Sequence, residues 1–156
     1  MRLLIKQRVF SWSDTYDVYD EMGNPRYYVR AEVFALGHHI HVYRKDTGEE
    51  VGAIHQRLLT FLPKFDIEIG GRIVGTVSRE LSLLRPRYTV DYKNWSVEGD
   101  LFAWDYTVSS MDRPIMRISK QWLTWGDTYA LDVLDPRYEL EGLMIVLAID
   151  AANCED

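Results

Sequence analysis

The stretch IKQRVFSWSDTYDV, residues 5–18, returns towards the other end of the chain as ISKQWLTWGDTYAL, residues 118–131. Each copy opens and closes on alternating apolar and polar residues, the pattern of a strand with one buried face. Four more segments between them fit the same frame: VRAEVFALGHHIHV (29–42), IHQRLLTFLPKFDI (54–67), VSRELSLLRPRYTV (77–90) and WSVEGDLFAWDYTV (95–108). Their starts lie 24, 25, 23, 18 and 23 residues apart, and a recurring period of this size marks a repeated supersecondary unit. Trp12 aligns with Leu36, Phe61, Leu84, Phe102 and Trp125, and Tyr16 with Ile40, Phe65, Tyr88, Tyr106 and Tyr129. The closing column is Val18, Val42, Ile67, Val90, Val108 and Leu131, so the second strand of every unit turns the same face inward. Trp12 and Trp125 are therefore expected at equivalent core positions. Asp14-Thr15 and Asp127-Thr128 read as strand entries that bond the backbone, not as halves of an active site. The fifth unit, with Gly99 and Asp100 in its middle, fits least well.

Turn signals separate the units: EMGNP at 21–25, KDTGE at 45–49, Gly70-Gly71, Lys93-Asn94 and SMDRP at 110–114. Six units of strand, crossing and strand make twelve antiparallel strands, more than an open twisted sheet holds comfortably. The expected fold is mainly β: a closed twelve-stranded antiparallel barrel, whose closure removes the sheet edges. Such a barrel is too wide for side chains alone to fill. The segment after Asp135 supplies the filling. Asp135 suits a cap and Pro136 a first helical position, and residues 143–149 carry no polar face. The apolar run is too short to span a bilayer, so the spacing predicts a buried central helix.

The 156 residues, 47% of them hydrophobic, with no low-complexity tract, imply one domain over 1–156. Cys154 is the single cysteine and has no internal disulfide partner. The N-terminal MRLLIKQRVF carries charge inside its first apolar run, unlike a signal peptide, which points to a cytoplasmic protein, free or peripheral at the membrane. A net charge of −6 argues against nucleic acid as a partner.

The stretches VEGDLFAWDYTV, ISKQWLTWGDTYALDV and LPKFDIEIGGRIVG, with an apolar terminal helix ending in Ile149-Asp150, resemble the LURP-one-related (YxjI-like) family. That family is grouped with the tubby C-terminal domain and the phospholipid scramblases. The resemblance covers essentially the whole chain and implies a tubby-like twelve-stranded barrel around a hydrophobic helix, with no agreed activity. The basic residues through which tubby domains bind phosphoinositides have no position-by-position match. DVLDPRYELEG does not reproduce the acidic calcium segment of scramblases.

Candidate chemistry is sparse. His38, His39 and His41, with His55 beyond the next turn, place imidazoles on neighbouring strands, but no cysteine or clear carboxylate completes a zinc set. They read as hairpin-face histidines, with no metal and no cofactor expected. Cys154 has no evident base, and Gly70-Gly71 joins strands and opens no helix, so no phosphate loop is present. No catalytic residue is assigned and an enzyme is not expected.

Charge placement says more. In an up-and-down barrel all crossings fall at one end, where Arg57, Lys64, Arg79, Arg85 and Arg87 gather with Lys6, Arg8 and Lys120. Acidic residues crowd the opposite end. The favoured reading is an interaction or structural module of unknown partner whose crossing-end cations neutralise the helix end near Asp150. The alternative is a module responsive to anionic phospholipid, whose rim of Arg57, Lys64, Arg79, Arg85 and Arg87 meets headgroups at a membrane surface. The two readings part over Leu58, Leu59, Phe61, Leu83 and Leu84, which a membrane-inserting loop exposes and a purely structural one buries.

Overall fold

The computed structural model of the chain describes residues 1–5, 15–34, 37–83, 87–101, 103–121 and 128–153. The strands are β1 (Arg2–Ile5), β2 (Thr15–Asp20), β3 (Pro25–Phe34), β4 (Gly37–Arg44), β5 (Glu50–Gln56) and β6 (Lys64–Ile69). They continue as β7 (Arg72–Glu80), β8 (Arg87–Asp91), β9 (Trp95–Asp100), β10 (Asp105–Ser110), β11 (Arg113–Gln121) and β12 (Thr128–Val133). A 3₁₀ turn at Pro136–Tyr138 leads into α1 (Glu139–Asn153).

All twelve strands form one antiparallel sheet in the order β8-β7-β6-β5-β4-β3-β2-β1-β12-β11-β10-β9. β1 lies between β2 and β12, with Leu3 opposite Leu131 and Leu4 opposite Ala130, so the two ends of the chain are joined in the wall. The barrel is nearly closed: among the described residues no ladder joins β8 to β9, which flank a seam. β8 is only five residues long. In β9, Gly99 adopts φ +128, where a Cβ would lie 2.5 Å from the Asp105 carbonyl oxygen. Only glycine lets β10 approach that closely, which is why the fifth unit departs from the pattern of the others.

The inward columns follow the alternation. Val18, Val42, Ile67, Val108 and Leu131 are at most 1% exposed, and Val90, beside the seam, is half-buried. Ile40, Phe65, Tyr106 and Tyr129 are buried, while Tyr16 and Tyr88 pack on the core from its margin. Of the preceding column, Phe61 is not a core residue: it is 92% exposed. The strand alternation ends at Gln56, and Phe61 belongs to a crossing loop instead. Trp12, Leu36, Leu84, Phe102 and Trp125 lie outside the described residues, as do Asp14 and Asp127. Thr15 and Thr128 are the first described residues of β2 and β12. At the opposite end, Gly70-Gly71 (φ +61 and +78) make a two-residue turn in which both central residues have positive φ, the twist that matches paired strands.

α1 fills the lumen. The Asp135 side chain accepts the Arg137 N–H at 3.2 Å, and Pro136 follows it in the first turn, where its missing N–H costs nothing. All twelve residues from Gly142 to Asn153 are buried, where a surface helix would show water one polar stripe. The helix starts at the turn end, where Glu139 makes a two-point ion pair with Arg26 and accepts the Tyr27 hydroxyl at 3.0 Å. Glu141 accepts from the Tyr92 hydroxyl (2.6 Å) and Lys93 (3.3 Å). Two carboxylates in the first turn also suit the positive end of the helix dipole. Trp95 packs edge-on against Tyr92 and Tyr138 and caps this end of the lumen. At the crossing end the Asn153 amide donates to the Leu101 carbonyl at 3.1 Å.

Candidate functional site

The sequence-predicted basic rim lies where β5, β6 and β7 reach the crossing end. Residues 57–63 link β5 to β6. The Arg57 N–H donates to the Lys64 carbonyl at 2.8 Å, and the Arg79 N–H to the Pro63 carbonyl at 2.9 Å, so both feet of the loop are tied to the sheet. Between these fixed ends RLLTFLP turns Leu59 and Phe61 outward, while Leu62 is partly buried. Leu59 sits at φ +59, a left-handed conformation uncommon for a branched residue. Its side chain is fully exposed, Phe61 is 92% exposed, and Leu81 and Leu83 in the neighbouring β7–β8 crossing are 73% and 99% exposed. Together they form an apolar crest on two adjacent loops. Beneath it an open cavity of about 560 Å³ lies between the 57–63 loop and Arg79.

Arg57 and Arg79 line this cavity, and Lys64 follows its last lining loop residue at the start of β6. Lys64 follows the outward parity of β6, and Arg79 follows the inward row of Gly75 and Val77 on β7. Arg57 is held by Asp66, with Nε 2.9 Å from the carboxylate, and that hydrogen bond raises the guanidinium above its ordinary pKa. Asp66 also accepts the Thr76 hydroxyl at 3.0 Å. Arg57 is therefore committed to the outer wall and not to the helix end, contrary to the self-neutralising arrangement expected of it. Arg87 is exposed and stands opposite Glu80 across the β7–β8 ladder. Arg85 and Leu84 lie outside the described residues.

Within the lumen, Asp150 is 4% exposed. Burial, and then the charge of Asp150, push the Tyr106 phenol well above its usual pKa. Of the histidines, the His38 N–H is bound by the Gln56 side-chain oxygen at 3.0 Å, while His39, His41 and His55 stand on the outer wall. A feature without a sequence signal is an open groove of about 690 Å³ outside β1, β11 and β12, where Arg2 and Asp132 form a two-point ion pair. Among the described residues no helix is long and apolar enough to cross a membrane.

This architecture matches known proteins along its length. The chain is 31% identical to the uncharacterised protein YxjI of Bacillus subtilis (strain 168) over 149 residues, covering 96% of this chain and 89% of that one. An Arabidopsis thaliana protein of known X-ray structure superposes with a TM-score of 0.63 over 96% of this chain and 91% of its own, at 14% identity, a likeness of fold. The LURP-one-related family model matches residues 1–150, and the chain belongs to that family.

Proposed function

We propose that the protein is a non-enzymatic barrel module that docks on anionic phospholipid surfaces through its crossing end. The observation that carries this is the exposure of Leu59, Phe61, Leu81 and Leu83 beside Arg57, Lys64, Arg79 and Arg87. Four large exposed apolar side chains at the tips of adjacent loops mark an interaction surface for protein or membrane, and the cations beside them favour a bilayer with anionic headgroups. Burying one such side chain is worth roughly 1.5–3 kcal/mol, and a cation near an anionic leaflet adds about 1 kcal/mol. Arg57 contributes less than that, because Asp66 already neutralises it. The overall charge of −6 opposes approach from any other direction and so orients the molecule. The non-enzymatic part is supported by the lumen, which α1 occupies where a barrel of this width would otherwise hold a substrate.

Co-sedimentation with vesicles tests the proposal. The protein should pellet with phosphatidylserine vesicles at low salt, less as salt screens the attraction, and not with neutral phosphatidylcholine vesicles. Leu59→Asp with Phe61→Asp should abolish recruitment with an unchanged melting temperature, since both side chains already face water. Wild-type protein that stays in the supernatant with anionic vesicles at low salt overturns the reading.

A further inference from the structure

Three histidines and a carboxylate converge on the outer wall of β4, β5 and β6, away from the crest. His39 and His55 face each other across the β4–β5 ladder, with their Nδ1 atoms 2.7 Å apart and ring centroids 5.0 Å apart. Behind them, His55 Nε2 lies 3.2 Å from Glu68 Oε2. A carboxylate only accepts, so His55 Nε2 carries the hydrogen that faces Glu68. In the neutral ring this leaves the His55 Nδ1 lone pair aimed at His39, which donates its own Nδ1–H. An imidazole whose far nitrogen is fixed by a carboxylate, leaving its near nitrogen as a lone pair, is the arrangement seen in histidine metal ligands.

The neighbouring positions add carboxylates to this wall. One row along, Ala53 sits between His41 on one side and Glu68 on the other. Ala53 is itself only 1% exposed, so an ion is approached from the solvent side of the two histidines and not over the methyl group. The His41 ring lies 6.3 Å from that of His55. Its Nδ1 is held by Glu50 at 2.6 Å and its Nε2 lies 3.5 Å from Glu32, so both of its nitrogens face carboxylates of their own and it is not one of the ligands. Among the described residues no three such side chains already point at one centre; the formed part is the His39–His55 edge.

We propose that this wall is a binding site for a divalent transition-metal ion of the zinc and copper class, held by His39 Nδ1 and His55 Nδ1, with Glu68 positioning His55. The ion takes the place of the proton the two nitrogens now share. His39 shifts its hydrogen to Nε2, so no net proton is released by this pair. Two tetrahedral bonds of roughly 2.0–2.1 Å from imidazole to zinc hold their nitrogens about 3.3 Å apart, so the two rings must open by about 0.6 Å from their present 2.7 Å. Imidazole with nearby carboxylate favours zinc or copper over calcium or magnesium, which demand an all-oxygen shell.

Titration calorimetry of the untagged, full-length, chelator-treated protein with zinc chloride and with copper sulfate tests this, with melting temperature as a second readout. One equivalent of metal should bind and raise the melting temperature. His39→Asn or His55→Asn should remove both effects, and Glu68→Gln should weaken binding by about 10–100-fold, the range typical of an orienting carboxylate. The metal-free variants should melt near the wild type, because these side chains are partly exposed. Calcium should not compete. No binding, binding equal in the wild type and both histidine variants, or binding lost on Cys154→Ser instead would each overturn the site.

Discussion

Leu147 lies at the middle of the buried run of α1 and is 1% exposed. Truncating it to alanine removes its transfer energy and leaves a cavity, a loss of about 2–5 kcal/mol. Leu147→Asp loses the same packing and also places a carboxyl in the apolar lumen. A fully buried acid has its pKa raised by roughly 3–5, and at about 1.4 kcal/mol per pKa unit the ionised form adds about 4–7 kcal/mol. The sum approaches the whole stability of a domain, about 5–15 kcal/mol. The charge penalty has a defined pH window. Because the folded pKa exceeds the unfolded value of about 3.9, the penalty is absent below about pH 4, grows as pH rises, and saturates above the folded pKa near 8. Urea unfolding followed by tryptophan fluorescence at pH 5 and pH 8 separates the two contributions. Leu147→Ala should lower the midpoint by a similar amount at both, whereas Leu147→Asp should fall much further at pH 8. A Leu147→Asp variant with a wild-type midpoint at pH 8 would show that water reaches position 147, and the central-helix account would fail.

Gly99→Ala meets both a positive φ and a backbone oxygen at 2.5 Å, whereas a Cβ at Gly23 (φ +83) has nothing within 4 Å. Gly99→Ala should therefore cost more than the roughly 1–3 kcal/mol of backbone strain alone, at about 2–4 °C of melting temperature per kcal/mol, and Gly23→Ala clearly less. Glu139→Gln discharges one side of the Arg26 ion pair and leaves a buried amide there, so urea titration should show a loss of about 1–3 kcal/mol. Burial beside Glu139 raises the Tyr27 phenol from 10.0 to about 12. Its contribution is present below pH 10 and lost as pH rises through about 12, so Tyr27→Phe should flatten the fall in stability across that window.

Alternation made the inward columns from Tyr16 to Tyr129 and from Val18 to Leu131 legible, because a half-buried strand has only one way to place its apolar residues. The same rule misplaced Phe61. An apolar residue in a seven-residue crossing reads like one in a strand, and nothing local distinguishes a loop tip facing solvent from a core position. Grouping Arg57, Lys64 and Arg79 at one end needed only the up-and-down topology. Seeing that Asp66 takes Arg57 needed the β5–β6 register. The same is true of Glu68 behind His55: thirteen residues separate them, and only the pairing of Ala53 with Glu68 brings that carboxylate to the histidines. The seam was invisible because it follows from the length of β8 and from β10 crowding Gly99.

The position of β1 between β2 and β12 sets an order on how this chain can become a protein. β1 is made before the rest of the barrel and is joined on one side to the barrel's last strand, across about 130 residues, and the helix that fills the interior is made later still. Until that helix emerges, twelve strands present their apolar faces with nothing to cover them, a state prone to self-association and slow to resolve. A seamless cylinder would then require the helix to be threaded through a finished tube. The unladdered line between β8 and β9 removes that need: the sheet can curl around the helix and shut along an edge where no hydrogen bonds have to be broken and remade. Refolding should accordingly be limited by the arrival of residues 139–153, and a chain lacking them should remain trapped as an open, sticky sheet.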